Sequence, residues 1–182
     1  MNTTLGEIYL ESVVKRLLTY KTLGEGTFAQ LEEKDFYFTP GAGSNSIAVI
    51  IQHMSGNMMS RWTNFLTEDG EKEGRDREKE FSAPSLSRDQ LLELWEKGWG
   101  CLLDALLSLQ DEDLMKTIHI RHEPLYAIDA INRQLAHYPH HVGQIVYIGK
   151  MIRDKDWSPL SIPKGASAQF NQHMQERHGN KP

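Results

Sequence analysis

Residues 137–141 read HYPHH, which sets His137 and His141 four positions apart. In a helix, side chains four apart lie on one face about one turn from each other, so both imidazoles can point at one ion. Phasing the neighbouring residues at about 100° each gives an apolar stripe of Ile128, Ile131, Leu135, Tyr138, Val142 and Ile145. Beside it runs a row of Ala130, Gln134, His137, His141, Gln144 and Ile148, polar but uncharged in the middle. His137 and His141 therefore border the core. His140 falls with Asp129, Arg133 and Tyr147 on the opposite face and reads as a surface residue.

A third histidine, His53, shares a helical row with Ser46, Asn57, Ser60 and Asn64. Burying such a row is costly unless its polar groups find partners. Two arrangements satisfy it: ordinary hydrogen bonding across the helices, or convergence of His53 with His137 and His141 on a divalent cation. Three neutral imidazoles with a fourth position left to water or substrate make a metal site of the catalytic type. Asn57, Arg61 and Gln144 are candidates to orient those ligands or touch substrate. Their alternative role is interhelical hydrogen bonding or, for Arg61, a helix-end salt bridge. Pro139 removes a backbone donor between the two paired histidines and is expected to kink the helix there.

The remaining candidates carry less chemistry. His119 and His122 lie in a connector and His173 and His178 in a polar tail, where exposure is expected. Cys101 sits in a Leu-rich segment and reads as a buried apolar thiol. A single cysteine makes neither an internal disulfide nor a cysteine-based zinc site. There is no Gly-rich phosphate loop, GxSxG or HExxH motif.

Four long helical segments must position these groups. The first opens on the capping-box pattern Thr4-x-x-Glu7, and Gly24 and Gly26 weaken its continuation toward Leu31. Residues 35–45 read as a connection. The second helix runs from Ser44 or Asn45 to about Leu66; Arg61 is its only fully charged side chain between Ile47 and Thr67, which predicts a central position or a subunit interface. Residues 67–81, dense in both charge signs, read as a solvated loop. The third helix starts at the Ser87 cap and stops near Gln110; a short extended piece is expected around residues 116–122. The fourth runs from Pro124 to Arg153 or Asp154. Together they predict an all-α four-helix bundle over residues 1–157, with an irregular C-terminal tail over 158–182. Lys164, Ser161 and Ser167 of that tail are placed either to close over the pocket or simply to pack on the bundle.

The 182 residues suit one domain, and 20 Lys+Arg against 25 Asp+Glu give a net charge of −5. That balance argues against nucleic-acid binding. The N-terminal stretch lacks the pattern of a signal peptide, and no apolar run is long enough to span a membrane. The expectation is a cytoplasmic protein.

The stretches SNSIAVIIQHMSGNMMSRWTNFLTEDGEKEGRDREKEF, HYPHHVGQIVYIGK and LSIPKGASAQFN, which span most of residues 44–171, resemble the DinB/YfiT-like metalloenzyme superfamily. More narrowly, the chain is similar to a bacterial branch of it known as a domain of unknown function. The superfamily carries one His on its second helix and an HxxxH on a late helix. The resemblance implies a four-helix bundle in which His53, His137 and His141 bind zinc or nickel. It also implies a homodimer and a small-molecule substrate, with relatives that are S-transferases using low-molecular-weight thiols such as bacillithiol, mycothiol or glutathione, or a thiol-dependent isomerase. On that basis the leading expectation is a metal-dependent thiol S-transferase. A metal-dependent hydrolase and a non-enzymatic dimeric metal-binding or interaction protein are the alternatives, and a bundle that keeps its histidines for polar packing is a third.

Overall fold

Helix α1 (Leu5–Phe28) begins where the sequence places its capping box: the Thr4 hydroxyl accepts from the Glu7 amide and the Glu7 carboxylate accepts from the Thr4 amide. In the computed structural model, which describes residues 3–179, the helix continues through Gly24 and Gly26. Both glycines sit at close approaches. A Cβ at Gly24 would stand 2.6 Å from the Trp95 ring, and one at Gly26 2.8 Å from Leu160. The packing they permit offsets their weak helix propensity. A short 3-10 helix (Glu33–Tyr37) follows.

Helix α2 (Ile47–Trp62) starts after Ser46, whose hydroxyl accepts from the Val49 amide. It stops four residues short of Leu66, with Asn64 at φ 51° just beyond its end. Most of its side chains are buried, from Ile47 and Ile51 through Met54 and Met58 to Trp62. It packs most extensively on helix α4 (Arg88–Ser108) and also meets α3 (Arg77–Glu80) and α5 (Ala127–Arg153). Gly98 permits the α2–α4 contact, since a Cβ there would lie 2.9 Å from the Ser55 Cα. The near absence of charge in α2 is thus explained within one chain, and the homodimer expectation rests on the resemblance alone.

Two expectations about the connectors are corrected. Residues 67–81 are not simply a solvated loop: they contain α3, and Glu80 is buried. Pro124 does not start the last long helix. It lies in β2 (Glu123–Tyr126), opposite His119 of β1 (Thr117–Ile120) in an antiparallel hairpin. Ile118 and Ile120 alternate inward and are buried, which holds the hairpin on the helices and delays α5 to Ala127. The hairpin turn, Arg121–His122, has φ of 56° and 65°, as a two-residue turn requires. The Asp69 carboxylate accepts from both turn amides, at 2.8 Å each, and so ties the 67–81 segment to the hairpin.

Helix α5 passes through Pro139 without a break in its assignment. The tail is not wholly irregular: residues Ser167–His178 form α6, whose side chains are all exposed or nearly so. The chain is therefore mostly helical, with one core that gathers Leu17, Phe36, Ile51, Trp95, Trp99, Leu102, Tyr138 and Ile145 from the four long helices and the 3-10 turn. No described helix is long and apolar enough to cross a membrane.

Candidate metal centre

His53 on α2 and His137 and His141 on α5 come together. One ring nitrogen from each lies within 4.8 Å of those of the other two. The rings stand nearly perpendicular to one another, with centroids 4.7 Å apart for His137–His141, 4.9 Å for His53–His141 and 5.5 Å for His53–His137. His53 is buried and the other two are half-buried. Pro139 does not splay the pair, because the Nε2 atoms of His137 and His141 are 3.1 Å apart.

Each imidazole is held from behind. The His53 Nδ1–H donates to Glu80 Oε2 at 2.9 Å. The Nδ1 atoms of His137 and His141 face Gln134 Oε1 at 3.2 Å and Gln144 Oε1 at 2.8 Å. A carboxylate oxygen only accepts, so the His53 proton is on Nδ1 and its Nε2 carries a lone pair; a glutamine that presents its amide oxygen favours the same tautomer in His137 and His141. The two Nε2 atoms face each other at 3.1 Å, a separation that a shared N–H···N hydrogen bond or a shared cation satisfies. Nitrogens about 2.0–2.1 Å from one tetrahedral ion are themselves about 3.3 Å apart, close to what the α5 pair already shows. The donor set fits a divalent ion of the zinc or nickel kind. Burial, with His141 and His53 nearby, pushes His137 down from 6.5 to about 3. Burial likewise lowers His141, with only Gln144 pulling the other way. Both rings are therefore neutral at ordinary pH.

Glu80 is fixed in turn. Arg75 grips it with two bonds, Nε to Oε1 at 2.7 Å and Nη2 to Oε2 at 2.8 Å. Burial raises the Glu80 carboxyl, but Arg75 and His53 outweigh it and hold the group below its usual value, as an anion. Gly56 makes room for it, since a Cβ there would collide with the carboxylate. Phe81 lies against His53 with ring centroids 4.5 Å apart.

The residues proposed as supports separate by role. Gln144 bonds His141 directly. Asn57 lines the cavity over the histidines, but its Oδ1 accepts from the Tyr138 hydroxyl at 3.0 Å; Tyr138 in turn accepts from the Trp62 indole at 3.0 Å. Arg61 is buried and bonds the Gly70 carbonyl and Glu71, the latter at 2.9 Å. His140 is exposed, as expected, but reaches the cavity wall. His119, His122, His173 and His178 are exposed and outside it. Cys101 is half-buried beside Thr63 rather than fully enclosed, and it too lies outside the cavity. No described residue of the tail lines the cavity, and Lys164, Ser161 and Ser167 lie outside it.

Glu80, Arg75 and Gln134 were not foreseen. Gln134 had a visible signal, since it belongs to the same uncharged row as His137. Glu80 and Arg75 lay inside a charge-dense stretch with nothing local to single them out.

The family model described as "Protein of unknown function (DUF1572)" matches residues 4–166, which include all three histidines. The chain belongs to this family. Neither the curated proteins nor the solved structures gave a match.

Proposed function

We propose that this DUF1572 chain is a metal-dependent enzyme of the DinB-like kind, built on a four-helix bundle of α1, α2, α4 and α5. His53, His137 and His141 would hold one zinc or nickel ion. The observation that carries the reading is the convergence of the three rings: each has its outer nitrogen bonded to a protein side chain and offers a nitrogen within 4.8 Å of those of the other two.

When bound, a divalent ion with an open position supplies positive charge that favours a thiolate, or lowers the pKa of water toward about 7. The protein's own groups do the rest. Glu80 holds the His53 tautomer, Gln134 and Gln144 orient the α5 rings, and Asn57 stiffens the cavity wall through Tyr138. The cavity of about 660 Å³ over the histidines is large enough for a small molecule. A low-molecular-weight thiol such as bacillithiol, transferred to an electrophile, is the cosubstrate this reading favours. Cys101 is outside the cavity, so the chain itself offers no thiol there.

Dialysed protein titrated with zinc and with nickel should take up about one ion per chain. His53→Ala and His137→Ala should abolish that uptake. Glu80→Gln should weaken it by about 10- to 100-fold, the usual consequence of losing a partner behind a ligand. Uptake that survives both alanine variants would overturn the assignment. Turnover of a small thiol with a chromogenic electrophile, lost on chelation, then separates a transferase from a binding protein.

A further inference from the structure

The wall of the histidine cavity carries Arg61, Arg75, Arg77, Arg121 and Arg133, and not one Asp or Glu. These arginines come from four places in the chain: α2, the 67–81 segment with α3, the hairpin turn and α5. In a protein of net charge −5, five guanidinium groups around one opening are a local reversal of sign. Four carboxylates, Glu71, Glu78, Glu80 and Glu123, pair with the five arginines, and none of the four lines the cavity. Glu71 Oε2 alone serves three of the arginines, Arg61 at 2.9 Å, Arg121 at 3.1 Å and Arg75 at 3.3 Å. Glu80 takes the remaining bonds of Arg75.

The two arginines at the mouth are the least committed. Arg77 stacks over the Phe81 ring, with its Cζ 4.9 Å from the centroid, and reaches Glu78 only at 3.6 Å. Arg133 reaches Glu123 only at 3.9 Å. Both partners are largely solvent-exposed, so these are loose pairs worth little and easily exchanged. The planar fork of a guanidinium matches a carboxylate or a phosphate with two bonds. Phe81 touches His53 on one side and Arg77 on the other, so Arg77 is placed beside the metal ligands rather than remote from them.

We propose that this cavity binds small molecules through an anionic group, a carboxylate or a phosphate, held at the mouth by Arg77 and Arg133 with Arg121 alongside. The anion anchors one end of the substrate while the other end faces His53, His137 and His141. As a statement about substrate, this rests on the metal-enzyme reading; as a statement about anion binding, it does not need the metal.

The test is calorimetry on the metal-free full chain, with malonate, inorganic phosphate and neutral malonamide as probes. Malonate or phosphate should bind at one saturable site and malonamide should not. The stronger of the two identifies the anchor as a carboxylate or a phosphoryl group. Arg77→Gln combined with Arg133→Gln should weaken that binding at least tenfold. A control that removes two exposed charges elsewhere, Arg16→Gln with Lys97→Gln, should leave it unchanged. His53→Ala, which removes a metal ligand, should retain it. Failure of both anions to bind, or equal weakening by the control pair, overturns the proposal. Anion binding without any uptake of zinc or nickel would overturn the metal-enzyme reading and leave the anion site standing; metal uptake without anion binding would do the reverse.

Discussion

At the scale of single residues, the site is a set of choices about where protons sit. Glu80 decides the tautomer of His53, and Gln134 and Gln144 orient the rings of His137 and His141. The same confinement has a measurable cost in acid. His137 titrates at about 3 in the folded chain against 6.5 when unperturbed, chiefly because it is buried. Between those values the unfolded chain takes up a proton there and the folded chain does not, so falling pH favours unfolding. Metal-free protein should therefore lose stability steadily from about pH 6.5 toward about pH 3. Urea midpoints measured across that range should fall more gently in His137→Gln. A slope unchanged by the substitution would show that His137 is not held neutral by burial. The histidines themselves were legible in the sequence because helical phase alone separated His137 and His141 from His140. Glu80 was not, since a buried glutamate in EKEF looks the same as an exposed one until its partners, Arg75 and His53, are known.

At the scale of elements, local signals set the helix starts and nonlocal ones set the connectors. Thr4 and Ser87 announce their helices because a capping box is complete within four residues. Residues 67–81 read as solvated because their charges find partners far away in sequence: Glu71 meets Arg61 and Arg121, and Glu80 meets His53. The fourth helix seemed to begin at Pro124 because proline suits a first turn; pairing of Pro124 with His119 in the hairpin takes precedence. Asp69 is the clamp of this region. Backbone bonds from Glu71, His122 and Arg121 outweigh its partial burial and hold its carboxyl down to about 2. Asp69→Ala should free the hairpin turn, cost about 1–3 kcal/mol through the lost charge-assisted bonds, and speed amide exchange at Arg121 and His122. Exchange in the middle of α2 should not change. If the turn amides exchange no faster, the hairpin is held by its own pairing and by Ile118 and Ile120 instead.

At the scale of the whole molecule, one cavity brings together what the sequence scatters over more than eighty residues. The nearly uncharged second helix becomes the buried centre, and it gives His53, Asn57 and Arg61 to the cavity wall. The charge-rich stretch after it turns inward and supplies Arg75 and Glu80, while the hairpin adds Arg121 at the rim. Net charge hid this arrangement, because a total of −5 says nothing of five arginines gathered around one opening. The described residues of the tail add no wall to the cavity, and Leu160 packs against Gly26 near the end of α1. The central claim is that three histidines on two helices form one metal site. Its most direct test is a crystal of the zinc-loaded protein examined by anomalous scattering at the zinc edge. The account predicts one strong peak per chain, about 2.0–2.1 Å from one nitrogen each of His53, His137 and His141. A peak bound elsewhere, or no peak between these rings, would contradict it.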